Sequence, residues 1–295
     1  MIGSTRKAGS YLPPSELILR DDGSVYHLGL RSDDIARKVI IVGDPDRVER
    51  ISSRFDRVDK KVSNREFVAH TGEFSGRPMT VISSGIGVDN IDIVLNELDA
   101  AINVDPETRK VRDSPRHLEI VRIGTSGSLQ EDLPIGSIVV SAFAYGWDAV
   151  PFYYDLRMSE QESYLAAAIE RELRPMNFVG KPYAAQASPK LLESVGKGFP
   201  QGITATSNGF YGPQDRTLRL MGMGNFSDRL RKFSHSGLRI TNFEMETAGI
   251  YALSSAMGHH ALSVCVILAD RTAKEFHKAP SESIEKLIDV VLERF

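Results

Sequence analysis

The chain has 295 residues, 36 Lys+Arg against 39 Asp+Glu and a formal charge of −3; with 41% hydrophobic and 25% charged residues it is not a mostly disordered chain. Its length supports one large or two small domains, and a pI near 6.2 argues against a dedicated nucleic-acid binder. Cys265 is the single cysteine, which excludes an intrachain disulfide and favours a reducing compartment. No apolar run approaches the ~20 residues of a membrane helix, and no hydrophobic signal region follows the basic N-terminus. The expectation is a soluble, cytoplasmic protein with no membrane partner.

Residues 1–24 read as a tail, because Gly, Ser and Pro13-Pro14 break any period and Asp21-Asp22-Gly23 is a turn signal. Residues 25–295 read as one domain. Val39–Val42 forms a β-branched run ending at Gly43, and Met79–Ser84 ends at Gly85. Glu119–Ile123 ends at Gly124, Ser137–Ser141 follows Gly136, and Ala261–Leu268 ends near Asp270. Such runs suit strands buried on both faces. Between them Ile91, Val94, Leu95, Leu98 and Ile102 fall at helical spacing, as do Leu165, Ile169 and Leu173, and Ile284, Leu287, Ile288 and Val291. A helix starting near Met245 is apolar on more than one side, which predicts burial; Pro106–His117 reads as a surface excursion. The alternation predicts an α/β protein around a largely parallel or mixed sheet.

Ligands of such sheets bind at the carboxyl ends of strands, and three of those ends are unusual. In Gly43-Asp44-Pro45-Asp46-Arg47, glycine admits an anion to the backbone and Arg47 offers a forked donor; an ordinary turn into a helix fits equally well. In Arg122-Ile123-Gly124-Thr125-Ser126-Gly127, an arginine inside an apolar strand needs an anionic partner, either a carboxylate of the protein or a bound phosphate. The small hydroxylated residues after it suit an anion-binding turn. In Phe243-Glu244-Met245-Glu246, the acids either complement a helix dipole or accept hydrogen bonds from sugar hydroxyls. Neither a Walker loop, a serine-hydrolase elbow nor a full dinucleotide fingerprint is present.

Taken with His27-Leu28-Gly29-Leu30, Asn64-Arg65-Glu66-Phe67, Ser84-Gly85-Ile86-Gly87 and Phe210-Tyr211-Gly212-Pro213-Gln214-Asp215-Arg216, these segments carry a family resemblance. From about Val25 to the C-terminus the sequence resembles the nucleoside phosphorylase superfamily, most closely its uridine phosphorylase branch. The resemblance implies a single-domain α/β/α sandwich with a mixed, partly barrel-like sheet. It also implies a pentosyltransferase that converts uridine and phosphate to uracil and ribose 1-phosphate in pyrimidine salvage. Carried over by position, phosphate falls to Gly43, Arg47, Arg122 and Thr125, with Arg65 reaching in from a neighbouring subunit. Ribose falls to Glu244, Met245 and Glu246, with His27 crossing over from the neighbour. The base falls to Phe210, Gln214, Arg216, Leu268 and Arg271. Arg122, Glu246 and Arg216 are the expected catalytic residues.

The resemblance thus implies a homo-oligomer, a dimer with shared sites or a hexamer of three dimers. No metal or organic cofactor is expected, since phosphate is already a charged nucleophile; a monovalent cation near Glu66, beside Ile86 and Asn90, stays open. Asp270 departs from the uridine branch, where Asn is usual, and the purine enzymes of the superfamily place an aspartate hereabouts. A purine phosphorylase or nucleosidase, and a non-catalytic nucleoside-binding protein, are therefore the alternatives.

Overall fold

The computed structural model describes residues 1–173, 182–222, 224 and 226–295. In chain order the strands are β1 (Ile2–Gly3), β2 (Lys38–Val42), β3 (Arg57–Asn64), β4 (Phe67–Phe74), β5 (Arg77–Ser83), β6 (Glu119–Ser128) and β7 (Ile138–Gly146). They continue with β8 (Leu156–Arg157), β9 (Tyr183–Gln186), β10 (Gln201–Thr206), β11 (Ser234–His235), β12 (Leu238–Glu244), β13 (His260–Asp270) and β14 (Glu275–Phe276). The helices are α1 (Asp46–Ser52), α2 (Val88–Asn103), α3 (Glu160–Leu173), α4 (Pro189–Ser194), α5 (Phe226–Lys232), α6 (Thr247–Ala256) and α7 (Pro280–Arg294).

Every apolar run expected to be a strand is one, and every residue of β7 is buried. Strand β6 runs parallel to β13, which runs antiparallel to β7; β10 lies parallel to both β7 and β12. Strand β12 then returns to β6 in an antiparallel pair, Asn242↔Ser128 and Phe243↔Gly127, so five strands close into a barrel. On the other edge of β6, β2 continues the sheet in parallel and carries β5, β4 and β3 outward. The expected mixed, partly barrel-like sheet is the one observed.

Helix α2 forms where the sequence places apolar residues at 3.6-residue spacing, and Ile91, Val94, Leu95, Leu98 and Ile102 are all buried. Each contributes roughly 1.5–3 kcal/mol of burial. These side chains pack with Val39–Val42, Val81, Ile82, Ile120, Val121 and the apolar face of α7 in the larger core; a second core joins β7, β10 and β12 to α3 and α5. Helix α6 is buried from Thr247 to Ser254, as its all-round apolar sequence predicts. Its Tyr251 hydroxyl donates to the Ser141 carbonyl on β7 and accepts from the Ser263 amide on β13, both at 2.7 Å.

Two expectations change. Strand β6 does not end at Ile123: Gly124–Ser128 stays in the ladder, because Cys265–Asp270 of β13 pairs with it, with one register shift between Ile267 and Ala269 that leaves Leu268 unpaired. The anion-binding turn expected there is extended backbone instead. Residues 1–24, read as a tail, lie against the fold: β1 pairs with β8, Leu17 is buried, and Arg109 donates to the carbonyls of Leu12 and Leu17.

Replacing Tyr251 by Phe leaves one buried N–H and one buried carbonyl without their partner. The expected result is a loss of about 1–3 kcal/mol of unfolding free energy at unchanged m, read by denaturant melting.

Candidate active site

The carboxyl ends of β2, β5, β6, β12 and β13 surround a cavity of about 800 Å³. Gly43, Arg47, Arg122, Thr125, Phe210, Gln214, Arg216, Glu244, Met245, Glu246 and Leu268 all line it. The fold thus gathers eleven residues that lie up to 225 positions apart, from Gly43 to Leu268.

Arg122 is the centre of this site and only 5% exposed. A strand projects residues i and i+2 to the same face, so Arg122 and Gly124 point the same way. The absent side chain of Gly124 is what makes room for the guanidinium: a Cβ there would lie 1.8 Å from Arg122 Nη1. Folded over Gly124, Arg122 donates through Nη2 to Glu246 and comes within 3.3 Å of Glu244 Oε2. Burial opposes its charge, but the two carboxylates outweigh burial and raise its pKa, so it stays protonated.

The carboxylates are themselves held. Glu244 ends β12, and its oxygens accept from the Thr206 hydroxyl at 2.6 Å and from the amides of Glu246 and Thr247 at 2.9 Å. Glu246 immediately precedes α6 and its carboxylate accepts from the Gly87 amide at 2.7 Å. Burial pushes the Glu246 carboxyl up and Glu244 adds to this, against the pull of Arg122 and the Gly87 N–H. Gly87 sits at φ 95°, a conformation that costs other residues dearly, and that turn aims its N–H at the carboxylate.

Among the described residues Arg47, unlike Arg122, has no carboxylate ion pair. It lies in the first turn of α1, is 7% exposed, donates through Nη1 to the Ile123 carbonyl at 3.3 Å, and leaves Nε buried without a partner among those residues. Burial lowers its pKa, Asp44 works against that, and Arg122 lowers it further. A buried cation short of acceptors beside a second cation is an electrostatic demand for an anion.

A second basic group lies where the chain runs from Phe210 to Arg216. The Arg216 guanidinium covers the Phe210 ring at 3.8 Å and donates to the Phe210 carbonyl at 2.7 Å and to Gln214 Oε1 at 2.6 Å. Burial and neighbouring Arg271 push its pKa down to about 10. Arg271, expected among the base ligands, does not line the cavity; it donates to the Gln214 carbonyl at 2.7 Å and so holds that loop from behind. Asp270 does not pair with Arg271. Its Oδ1 accepts from the Thr272 amide and hydroxyl and the Ala273 amide at 2.6–2.9 Å, bonds that hold its carboxyl below the usual range despite some burial.

His27 and Arg65 do not line this chain's cavity. They form one surface patch: the Asn64 amide donates to the His27 carbonyl at 2.5 Å, and Arg65 follows at φ 56°, exposed. Glu97 of α2 accepts from the His27 and Leu28 amides and lies 2.6 Å from His27 Nδ1, which fixes the imidazole. Glu66 lies exposed at the cavity rim, where the Asn90 amide donates to it at 3.4 Å.

One lining residue, Phe276, has no signal of its own in the sequence, and Ile86 has one only through its glycine-rich segment. Ile86 and Phe276 are 72% and 66% exposed, and these apolar side chains edge the cavity. Phe276 reaches it because the short strand β14 folds back on Ala269 and Asp270. Among the described residues, no cluster of three His, Cys, Asp or Glu is placed to hold a metal, and no helix is long and apolar enough to cross a membrane.

The profile of the phosphorylase superfamily matches residues 37–295. A uridine phosphorylase of Thermococcus kodakarensis is 31% identical over 271 residues, 88% of this chain and 82% of the relative. A purine nucleoside phosphorylase of DeoD type from Buchnera aphidicola is 26% identical, covering 92% and 98% of the two chains. The crystal structure of Trypanosoma brucei nucleoside phosphorylase, described as showing uridine phosphorylase activity, superposes with a TM-score of 0.86 at 30% identity. That match covers 94% of this chain and 98% of the other.

Substituting Gly124 by Ala places a methyl group where the Arg122 guanidinium lies. The variant is expected to weaken binding of inorganic phosphate by about tenfold or more in titration calorimetry, roughly 1.4 kcal/mol.

Proposed function

We propose that this chain, which belongs to the phosphorylase superfamily and is a pentosyltransferase of the nucleoside phosphorylase type, is directed at uridine. It would catalyse the reversible phosphorolysis of uridine to uracil and ribose 1-phosphate. The observation that carries the choice of base is Asp270: its carboxyl is spent on its own turn and lies outside the cavity lining, while Gln214 and Arg216 line it. A purine leaves most readily when an acid protonates it, and the aspartate that would do so is held as a carboxylate. A uracil edge asks instead for an amide that both donates and accepts, with a cation beside it.

In this reading Arg47 and Arg122 hold phosphate with Gly43 and Thr125, and the ribose hydroxyls donate to Glu244 and Glu246 against Met245. A phosphate oxygen attacks C1′ as the C1′–N1 bond breaks, through a transition state of oxocarbenium character. The bonding pair leaves on uracil, where Arg216 and the Gln214 amide stabilise the developing negative charge. The proton of hydrogen phosphate ends on uracil, so atoms and charge balance. Phosphate is already an anionic nucleophile, and this chemistry calls on no organic cofactor.

The patch of His27 and Arg65 supports a second part of the proposal. Neither residue lines its own cavity, and in this reading each would complete the site of a neighbouring subunit. An isologous dimer supplies both reciprocally.

Three outcomes test these readings. Uridine turnover should require inorganic phosphate, with little turnover of inosine or adenosine; equal rates without phosphate would instead indicate a nucleosidase. Gln214→Ala should lower kcat/KM for uridine by on the order of 10²-fold, because it strands polar groups of the base, whereas Asp270→Asn should stay within about threefold of wild type. Loss of comparable size in Asp270→Asn would assign the carboxyl to the chemistry. Finally, Arg65→Ala mixed with Arg122→Ala should regain partial activity once exchange of a labelled chain is confirmed. In a mixed dimer one site carries both lesions and the other neither.

A further inference from the structure

Arg122 has a third partner that neither the motifs nor the expected roles include. The β6–β13 register sets Cys265 opposite Gly124 and Ser263 opposite Arg122. Paired residues of adjacent strands share a face, so the Cys265 side chain lies beside the slot that Gly124 leaves open. A Cβ on Gly124 would come within 2.8 Å of Cys265 Sγ as well as meeting Arg122 Nη1. Into that slot Arg122 Nη1 donates to Sγ at 3.1 Å.

The thiol is oriented in turn. Sγ lies 3.8 Å from Ser263 Oγ, and the Ser263 hydroxyl accepts from Thr247 Oγ1 at 2.9 Å. Either Ser263 Oγ or Sγ can donate across that contact, whereas a guanidinium can only donate, so toward Arg122 the sulfur is the acceptor. Burial pushes the thiol up from its usual range, so sulfur stays neutral and offers Arg122 a contact without cancelling its charge.

We infer that Cys265 is a positioning residue: it fixes the rotation of the Arg122 guanidinium so that Nη1 keeps one donor for the phosphate nucleophile. The glutamates hold only the Nη2 side, as the Arg122 contacts show. A guanidinium held on one edge can swing about that edge; sulfur holds the other edge. Because sulfur is a weak acceptor, the second Nη1 hydrogen is not drawn from the cavity. This inference rests on the reading of Arg122 as a phosphate ligand.

Three variants test it: Cys265→Val fills the slot with a somewhat larger apolar side chain and removes the acceptor, Cys265→Ala removes acceptor and volume, and Cys265→Ser restores an acceptor. Initial rates with uridine and phosphate are measured for each, with calorimetric binding of inorganic phosphate alone and thermal melting alongside. Val and Ala are expected to raise the phosphate KM and Kd about five- to tenfold, to leave the uridine KM within twofold, and Ser to return phosphate binding to within threefold of wild type. Three results overturn the inference: an unchanged phosphate Kd in both Val and Ala; an equal rise of both KM values; or Ser behaving as Val does while all three melt with the wild type. Should the unmodified protein bind phosphate yet not turn over uridine, the uridine reading fails, and the phosphate Kd series still decides the role of Cys265.

Discussion

A guanidinium in the wall of a β-barrel is tolerated only if acceptors converge on it, and the closure of this barrel brings them there. Arg122 rises from β6, Glu244 ends β12, Glu246 immediately precedes α6, and these strands meet at the closing pair of the ring. Breaking one partner of a buried pair of this kind costs on the order of 3–5 kcal/mol. The acids cannot retreat either: the Thr206 hydroxyl, three backbone amides and the turn at Gly87 fix their oxygens. What results is a rigid, charged centre assembled from β6, β10, β12, the start of α6 and the turn before α2.

Around that centre the unbalanced charges are distributed with purpose. Arg122 keeps its charge and is paired with the acids beside it, whereas Arg47 and Arg216 are buried or half-buried cations whose pKa values are lowered by burial and by like charge. An anion arriving at either relieves that tension, and a low-dielectric surrounding magnifies the effect. The cavity thus attracts negative charge at two separate groups and offers carboxylate acceptors as well. Such a layout suits a substrate pair in which one partner is an anion and the other becomes one as it leaves.

Much of this could be read from the residues. Strands β2, β5, β6 and β13 announce themselves as apolar runs ending at glycine or aspartate, and the glycines 43, 85 and 124 mark where the chain bends toward the cavity or admits a side chain. Helix periodicity located α2, α3 and α7 because the buried stripe leaves no other reading. Strand β3, by contrast, alternates exposed and half-buried residues on the rim of the sheet, and its sequence Arg-Val-Asp-Lys-Lys-Val-Ser-Asn lacks a hydrophobic run. The second half of β6 was hidden for a different reason: Gly-Thr-Ser-Gly-Ser has little strand propensity and is held extended by its neighbour. Arg271, Ile86, Phe276 and the Cys265 contact are likewise tertiary facts. Each depends on which loop or strand comes to lie beside it, and no local pattern encodes that.

The barrel's closing seam joins β12 to β6 through two register pairs, against ten between β6 and β13. Its residues Ser128, Asn242 and Phe243 are nonetheless fully buried, and the Arg122–Glu244 contact spans the seam with side chains. A ligand that drew on the guanidinium would compete with that contact. Occupancy of the cavity and the strength of the seam would then be linked quantities, and by reciprocity whatever weakened the seam would alter affinity for the ligand by the same factor.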